Sequence, residues 1–485
     1  MSALPDTSRV GSVDVVFLLV YSEAARDHLP VLKELERRGR TCAIGLLYRN
    51  AATEAVIAEA GITPFAWSHG EGRFLGQDAP DGDGAERPAD APSMVKRRIR
   101  AALEGSSLFD GVQEFRSQRR QLQEGRRFFV RGRCRALVLE ADSNPPSLHY
   151  AKAARDAGIP SIVIQSHLVP DEGSRFLAGR NMTEPHWRPT GRPALERLVG
   201  RTISVAWPSC VRRVGETRVL PRAPYKILSA VALAGTPRSM WFQVGGPATW
   251  YAMNGPQAVE VLTREGIPKG MLIPCGQPRV DAIVGSLLDP TAVAQGRARL
   301  ALPAAGRVAV VATQPWELPG ILTREQKVSE LRAVCEQLVE SGEDVRVLVK
   351  PHPKETTEEY APARVAERIT FLPPGSDIMD AIRVADVFLT QRSTSAFFAV
   401  AAGKPLLTYN LHGVAVMDHF ASMGLSLPIR RADEIPPLMR GLAEGRETPF
   451  LTAERRRIVE RYIRIDGKAT AAVADLIERA IREGA

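Results

Sequence analysis

Short apolar runs rich in Val, Ile and Leu alternate along this chain with segments whose apolar positions recur every three or four residues. That alternation predicts strand–helix–strand units on parallel sheets. In the first block, 13–22 (VDVVFLLVYS) reads as a buried strand, 24–40 as a helix ending near Gly39, 41–49 as the next strand and 51–61 as a helix closed by Gly61. The pattern resumes with strands over 134–142 and 159–167, around a helix over 147–158 that stops at Gly158. Residues 174–240, rich in Arg, Pro and Trp, predict irregular structure with one or two helices. Beyond them, 240–246 (MWFQVGG) predicts a strand, 256–266 a helix, and 271–284 a strand leaving through a Gly-x-Pro turn.

A linker and a short helix over 285–305 introduce a second alternating block. Strands are expected over 306–315, 344–353, 369–374, 386–392 and 404–410, with helices over 323–342, 376–385 and 393–403. A helical tail from Thr452 to Ala485 is long enough to cross back on the first block. The expected fold class is therefore α/β, with two doubly wound Rossmann-like domains facing a cleft. Their bounds are 1–285 and 286–455, with 456–485 packing back on the first. No self-similarity occurs at solenoid or propeller periods.

The 485 residues, 44% apolar and 25% charged, exclude a disordered chain and leave room for two ordinary domains. The five cysteines (Cys42, Cys134, Cys210, Cys275 and Cys335) are odd in number and far apart. They form neither a disulfide framework nor a zinc knuckle, which fits a reducing compartment. No apolar run approaches the roughly 20 residues of a membrane span. The expected location is cytoplasmic, with a peripheral position at the inner membrane left open.

Charge is uneven. The net +9 points to an anionic partner, yet residues 96–135 alone hold twelve Lys and Arg against four acids, which is +8 of it. Those residues follow a Gly-, Asp- and Pro-rich stretch at 69–93, so 69–135 reads as one low-complexity and basic insertion. The basic part is expected to meet an anionic acceptor or membrane surface; a solvated Arg-rich helix face is the competing reading. Nucleic acid is not expected, because no reading module occurs and Phe109, Phe115, Phe128 and Phe129 are spaced as helix core.

Candidate chemistry gathers at predicted strand ends, where open α/β sheets collect ligands. In the first block these are Asp142, Ser166, His167 and the loop VPDEG (169–173) with Asp171 and Glu172. In the second, DVRVLVKPHPKE brackets His352 with prolines that end the strand, so Lys350 and His352 sit at its carboxyl edge as donors for an anion. Ser393, Thr394 and Ser395 open a helix whose first N–H groups and hydroxyls suit a phosphate; plain N-capping is the competing reading. Asp81-Gly82-Asp83 imitates a metal-binding Asp-x-Asp but lies in the low-complexity stretch. Neither a metal nor a redox cofactor is expected, since no GxGxxG, Walker loop, H-E-x-x-H or G-x-S-x-G occurs.

The order VLVKPHPKE, ITFLPP, D-x-x-D-A-I-x-x-A-D-V and S-T-S…G-K-P resembles the nucleotide-binding domain of GT-B glycosyltransferases of the bacterial surface-polysaccharide type. These include CDP-glycerol glycerophosphotransferases, capsule Kdo transferases and HP-motif sialyltransferases. REGIPKGMLIPCGQPRVDAI (264–283) resembles their interdomain stretch. The resemblance implies a nucleotide-activated sugar or polyol donor, a carbohydrate or lipid-linked acceptor on the first domain, and an inverting, metal-independent transfer. It implies that His352 contacts the donor phosphate or assists departure of the nucleotide, and that Ser393 and Thr394 bind the phosphates. Thr313 and Gln314 would face the donor, and the backbone around Phe371 and Leu372 would hold the base. Asp171-Glu172-Gly173 matches the acidic motif that supplies a general base in the sialyltransferase-like families, and His167 competes for that role.

Two other classes stay open. A UDP-N-acetylglucosamine 2-epimerase-like enzyme shares the two-domain architecture and the Gly-x-Pro turn, although the strand ending in Ser166-His167 lacks the Glu of the His-x-Glu-x-Gly pattern. A non-catalytic protein binding anionic lipid or nucleic acid is the remaining class.

Overall fold

The computed structural model describes residues 12–20, 22–47, 51–66, 107–129, 134–169, 194–214, 217–286, 289–318, 320–373, 376–447 and 449–484. The first lobe is built on β1 (Val15–Leu19), β2 (Cys42–Leu46), β3 (Phe65–Ala66), β4 (Ala136–Leu139), β5 (Ser161–Ile164), β8 (Trp250–Met253) and β9 (Leu272–Pro274). These form one parallel sheet in the order β3-β2-β1-β4-β5-β8-β9; a hairpin of β6 (Arg212–Val214) and β7 (Thr217–Val219) stands apart. All five residues of β1 are buried, as a parallel strand covered on both faces requires, which explains its unbroken apolar run.

The helices of this lobe are α1 (Ser22–Arg37), α2 (Ala51–Glu59), α3 (Ser107–Phe129), α4 (Ser147–Asp156), α5 (Ala194–Ala206), α6 (Pro224–Ala234), α7 (Pro256–Arg264) and α8 (Pro278–Ser286). Leu122, Phe128 and Phe129 of α3 share one core with Tyr150 of α4, Leu262 of α7 and Val16 and Leu18 of β1. Leu32 and Leu35 of α1 share the core on the other face with Phe17 and Leu19.

The second lobe holds β10 (Arg307–Ala312), β11 (Val345–Lys350), β12 (Ile369–Phe371), β13 (Val387–Thr390), β14 (Leu406–Tyr409) and β15 (Leu427–Ile429). Their order, β12-β11-β10-β13-β14-β15, is the doubly wound one, with the reversal at β10. Around the sheet lie α9 (Pro290–Arg299), α10 (Arg324–Glu340), α11 (Ile378–Val384), α12 (Ser395–Ala401), α13 (His419–Ser422) and α14 (Ile435–Ala443). Helix α10 starts where Thr323 and Gln326 cap each other reciprocally, at 3.2 and 2.8 Å.

The chain then returns. Helix α15 (Ala453–Tyr462) packs on α12 and on α7, and α16 (Ala469–Glu483) packs on α1, α8, β4 and β5. Gly255 allows this crossing, because a Cβ there would lie 2.7 Å from the Tyr462 carbonyl.

Two predicted strands are corrected: of 271–284 only Leu272–Pro274 is strand, because Pro278 after the Gly-x-Pro turn starts helix α8. Residues 240–246 form bends, and the strand beside β5 is Trp250–Met253. The Met-Trp-Phe-Val run is apolar because it caps the core as a loop. Asp142 holds that loop, accepting from Gly246 N at 3.0 Å, Ala248 N at 2.8 Å and Tyr251 OH at 2.8 Å. The 69–93 stretch, with Asp81-Gly82-Asp83, and the basic residues up to Arg100 lie outside the described residues.

Candidate functional site

The crevice of the second sheet lies beyond the carboxyl ends of β10, β11 and β13, where the strand order reverses. Hydrogen bonds tie those three ends together. Thr313 N donates to Lys350 O at 3.2 Å, joining the end of β10 to β11. Thr390 Oγ1 donates to Ala312 O at 2.9 Å and accepts Ser393 N at 3.2 Å, joining β10 to β13. Thr313, Lys350, His352 and Ser393, chosen from separate stretches of sequence, therefore stand along one edge at the switch point.

Beneath this edge is a buried carboxylate. Glu355 Oε2 accepts His352 N at 2.9 Å and the Thr313 hydroxyl. Its Oε1 accepts Lys327 Nζ at 3.0 Å and Tyr360 OH at 2.6 Å. His352 N also reaches Thr313 Oγ1 at 3.2 Å. Burial pulls the Lys327 ammonium down, but the Glu317 and Glu355 carboxylates outweigh it and hold it above its usual range. Burial and the Glu355 charge push the Tyr360 phenol up. The charge under the His352 turn is thus compensated inside the protein.

The ring of His352 is half-buried, and its Nδ1 accepts Lys354 N at 3.1 Å. An acceptor Nδ1 places the proton of the neutral ring on Nε2, which is then a donor. Lys350 is only 6% exposed and donates to Pro351 O at 2.8 Å, so its ammonium is folded into the turn. Gln314 Oε1 and Trp316 Nε1, on the loop after β10, are buried and have no hydrogen-bond partner in the structure. Buried polar atoms are normally satisfied, so this loop has hydrogen-bonding capacity to give.

Ser393 and Thr394 precede the first turn of α12, which begins at Ser395, two residues later than the expected helix. Ser395 donates from its N–H (3.3 Å) and its hydroxyl (2.7 Å) to Ser393 Oγ; Thr394, the N-cap, is exposed and makes no side-chain capping bond. Phe371 and Leu372 are 8% and 3% exposed, with Phe371 stacked on Tyr360 and Leu372 N donating to Val349 O at 2.9 Å.

In the first lobe, Asp142 is a fully buried loop anchor whose carboxyl burial pushes up, against three hydrogen bonds that pull it down. His167 is exposed and its carbonyl accepts Gln165 Nε2 at 2.6 Å; Ser166 is buried. Leu168 packs on the second lobe's core, which puts His167 beside the junction of the lobes. Asp171 and Glu172 lie outside the described residues.

Some residues of the site were missed from sequence. Glu355 and Lys327 are two. Gln277, in the Gly-x-Pro turn, donates to Asp27 at 3.2 Å and to Ser166 O at 3.1 Å, gathering the ends of β5 and β9 with α1. Asn254, after β8, is fully buried, with both amide atoms unpartnered. An Asn-Gly-Pro turn after an apolar strand was the available signal for Asn254. Between the lobes, Asp377 pairs with Arg26 at 2.5 Å and Arg279 at 3.1 Å, and these two cations hold its carboxyl low despite burial. Asp281 accepts Ala469 N and Thr470 N at 3.2 and 2.7 Å, fixing the start of α16. Among the described residues, no three His, Cys, Asp or Glu side chains are placed to hold a metal ion.

No protein-family model matches the chain, and no curated protein matches its sequence. Solved structures match its fold. A Neisseria meningitidis UDP-GlcNAc 2-epimerase bound to UDP-GlcNAc is 11% identical, covering 97% of this chain and 100% of its own, at a TM-score of 0.52. A Listeria monocytogenes protein named as a candidate UDP-N-acetylglucosamine 2-epimerase is 12% identical over 98% of both chains, also at 0.52. Staphylococcus aureus MnaA, solved with UDP, is 11% identical over 97% of both chains, at 0.51. At such identities the likeness concerns the fold, and the chain has the two-lobed GT-B architecture.

Proposed function

We propose that the protein is an inverting, metal-independent transferase that moves a sugar or polyol phosphate from a nucleotide-activated donor to a carbohydrate or lipid-linked acceptor. The observation that carries this reading is His352. Its Nδ1 is occupied by Lys354 N, so the neutral ring presents an Nε2–H donor at the carboxyl edge of β11, beside the switch point. A donor held there strengthens its bond to a phosphate oxygen as the leaving nucleotide gains charge, and a rigid backbone spares the reorganisation cost. The Gln314 loop and the Ser393 turn supply further polar groups along the same edge. His167, Asp171 and Glu172 are the proposed sources of a base for the acceptor hydroxyl.

A thermal-shift screen across CMP, CDP, UDP and GDP tests the reading, since a ligand at 100 times its Kd stabilises the native state by about 2.7 kcal/mol. Stabilisation by one nucleotide in the wild type, reduced in a folded His352→Ala variant, supports it; equal stabilisation of both overturns the role of His352. A 2-epimerase-like activity is the second reading, favoured by the fold likeness to epimerases over nearly the whole chain. Incubation with UDP-GlcNAc alone separates the two: free UDP together with an epimerised sugar supports the epimerase.

A further inference from the structure

Among the described residues, six large apolar side chains are exposed, and four of them lie on α3 and α5: Val112 (49%), Phe115 (37%), Leu198 (62%) and Val205 (80%). Both helices pack on α6, and Gly111 of α3 approaches Tyr225 of α6 so closely that a Cβ would lie 3.3 Å away. The two helices thus both border α6 in the first lobe.

Each face mixes apolar and basic groups. At 100° per residue, Val112, Phe115, Arg116, Arg119, Gln123, Arg126 and Arg127 fall within an arc of about 120°. The exposed positions of α3 between Gly111 and Phe129 carry five arginines (Arg116, Arg119, Arg120, Arg126 and Arg127) and no carboxylate. Glu114 and Glu124 are half-buried on that helix; burial pushes the Glu124 carboxyl up to about 7, which weakens its negative charge, and Arg126 pairs with Asp156 at 3.1 Å. On α5, Leu198 and Val205 are two turns apart and share a face with Arg201, which is also exposed.

We propose that α3 and α5 form a docking face for an anionic lipid surface. Arginine heads pair with lipid phosphates while the apolar side chains enter the boundary between headgroups and acyl chains, the arrangement of an interfacial amphipathic helix. Nucleic acid fits less well. It would use the arginines but offer nothing to Val112, Leu198 and Val205, and Phe115, which is exposed where its spacing predicted core, is the lone aromatic among these exposed residues. No helix among the described residues is long and apolar enough to cross a membrane, so the contact lies in the plane of the interface. The proposal is independent of any transfer chemistry.

The test is co-sedimentation of the full chain with vesicles of phosphatidylcholine, with and without about 30% phosphatidylglycerol, at low and high salt. Two variants accompany it, Leu198→Glu/Val205→Glu and Arg116→Glu/Arg119→Glu, each checked by circular dichroism and thermal melting. Expected are salt-sensitive binding to the anionic vesicles alone and at least a tenfold loss in each folded variant. Absence of binding, or binding that survives both variants, overturns the proposal. Tighter binding of a fluorescent oligonucleotide, lost in the same variants, reassigns the face to nucleic acid. A wild-type dimer dissolved by Leu198→Glu/Val205→Glu reassigns it to a second copy of the chain. If a variant fails to fold, Phe115→Ser replaces it with the same expected direction.

Discussion

Glu355 Oε2 accepts the backbone N–H of His352 at 2.9 Å, and the same carboxylate bonds Thr313, Lys327 and Tyr360. One buried charge thereby sets the turn that carries the proposed donor and fixes the end of the neighbouring strand. Removing it in Glu355→Ala leaves Lys327, 3% exposed, with Glu317 and Glu359 as its remaining carboxylates. Breaking a buried ion pair on one side costs about 3 kcal/mol or more. Urea denaturation of Glu355→Ala is expected to show that loss, with Glu355→Gln intermediate. A wild-type midpoint in the Ala variant would mean the network is not what holds the turn.

Asp377 links α11 of the second lobe to Arg26 of α1 and Arg279 of α8, and it also caps Met379 N at 3.0 Å. Asp377→Ala takes this carboxylate from Arg279, which is 8% exposed and lies over the Phe398 ring. The expected result is a larger radius of gyration by small-angle scattering and a lower melting temperature. Unchanged scattering would show that the lobes are held without this pair.

Gly246 is the close approach of the loop that Asp142 anchors. A Cβ at this position would stand 1.9 Å from Asp142 O, which backbone cannot yield without moving the end of β4. Gly246→Ala is expected to cost about 3 kcal/mol or to prevent folding. A melting curve within a degree of the wild type would refute the contact.

Acid sensitivity should come from buried histidines. Burial lowers His28 to about 4, against contacts with Ala24 O and Leu139 O, and lowers His149 to about 3. The unfolded chain binds these protons near pH 6.5, and the folded chain does so only below about 4. Stability is therefore full above pH 6.5 and falls as pH drops toward 4. Glu124, raised to about 7, acts with the opposite sign, losing stability as pH rises from about 4.5 to 7. His28→Gln should flatten the slope of unfolding free energy by up to about 1.4 kcal/mol per pH unit between pH 6.5 and 4. Parallel slopes for variant and wild type would remove His28 from this account.

Much of the architecture was legible because parallel strands covered on both faces must be apolar throughout. Val15–Leu19 and Ala136–Leu139 announce themselves in this way, and the ends of α1 and α4 follow from Gly39 and Gly158, both at positive φ. The same rule misread 240–246. Trp241 and Phe242 are apolar because they cover a core and lie under the Arg212 guanidinium, at 4.7 and 5.5 Å from it, and no ladder pairs them. The true strand, Trp250–Met253, is four residues long and hides behind a Gly-Gly-Pro loop.

Along the candidate site, His352 and Ser393 were visible as types at strand ends, since proline and hydroxyl residues mark local turns. Their support was not. Glu355 meets Thr313 across 42 residues and Lys327 across 28, and Asp377 meets Arg279 across 98. Local periodicity settles which segments become strands and helices, because burial of one face depends on residues a few positions apart. Which carboxylate lies under which turn, and which cations join the lobes, is set by long-range packing, because desolvated charges must find partners wherever the folded chain brings them.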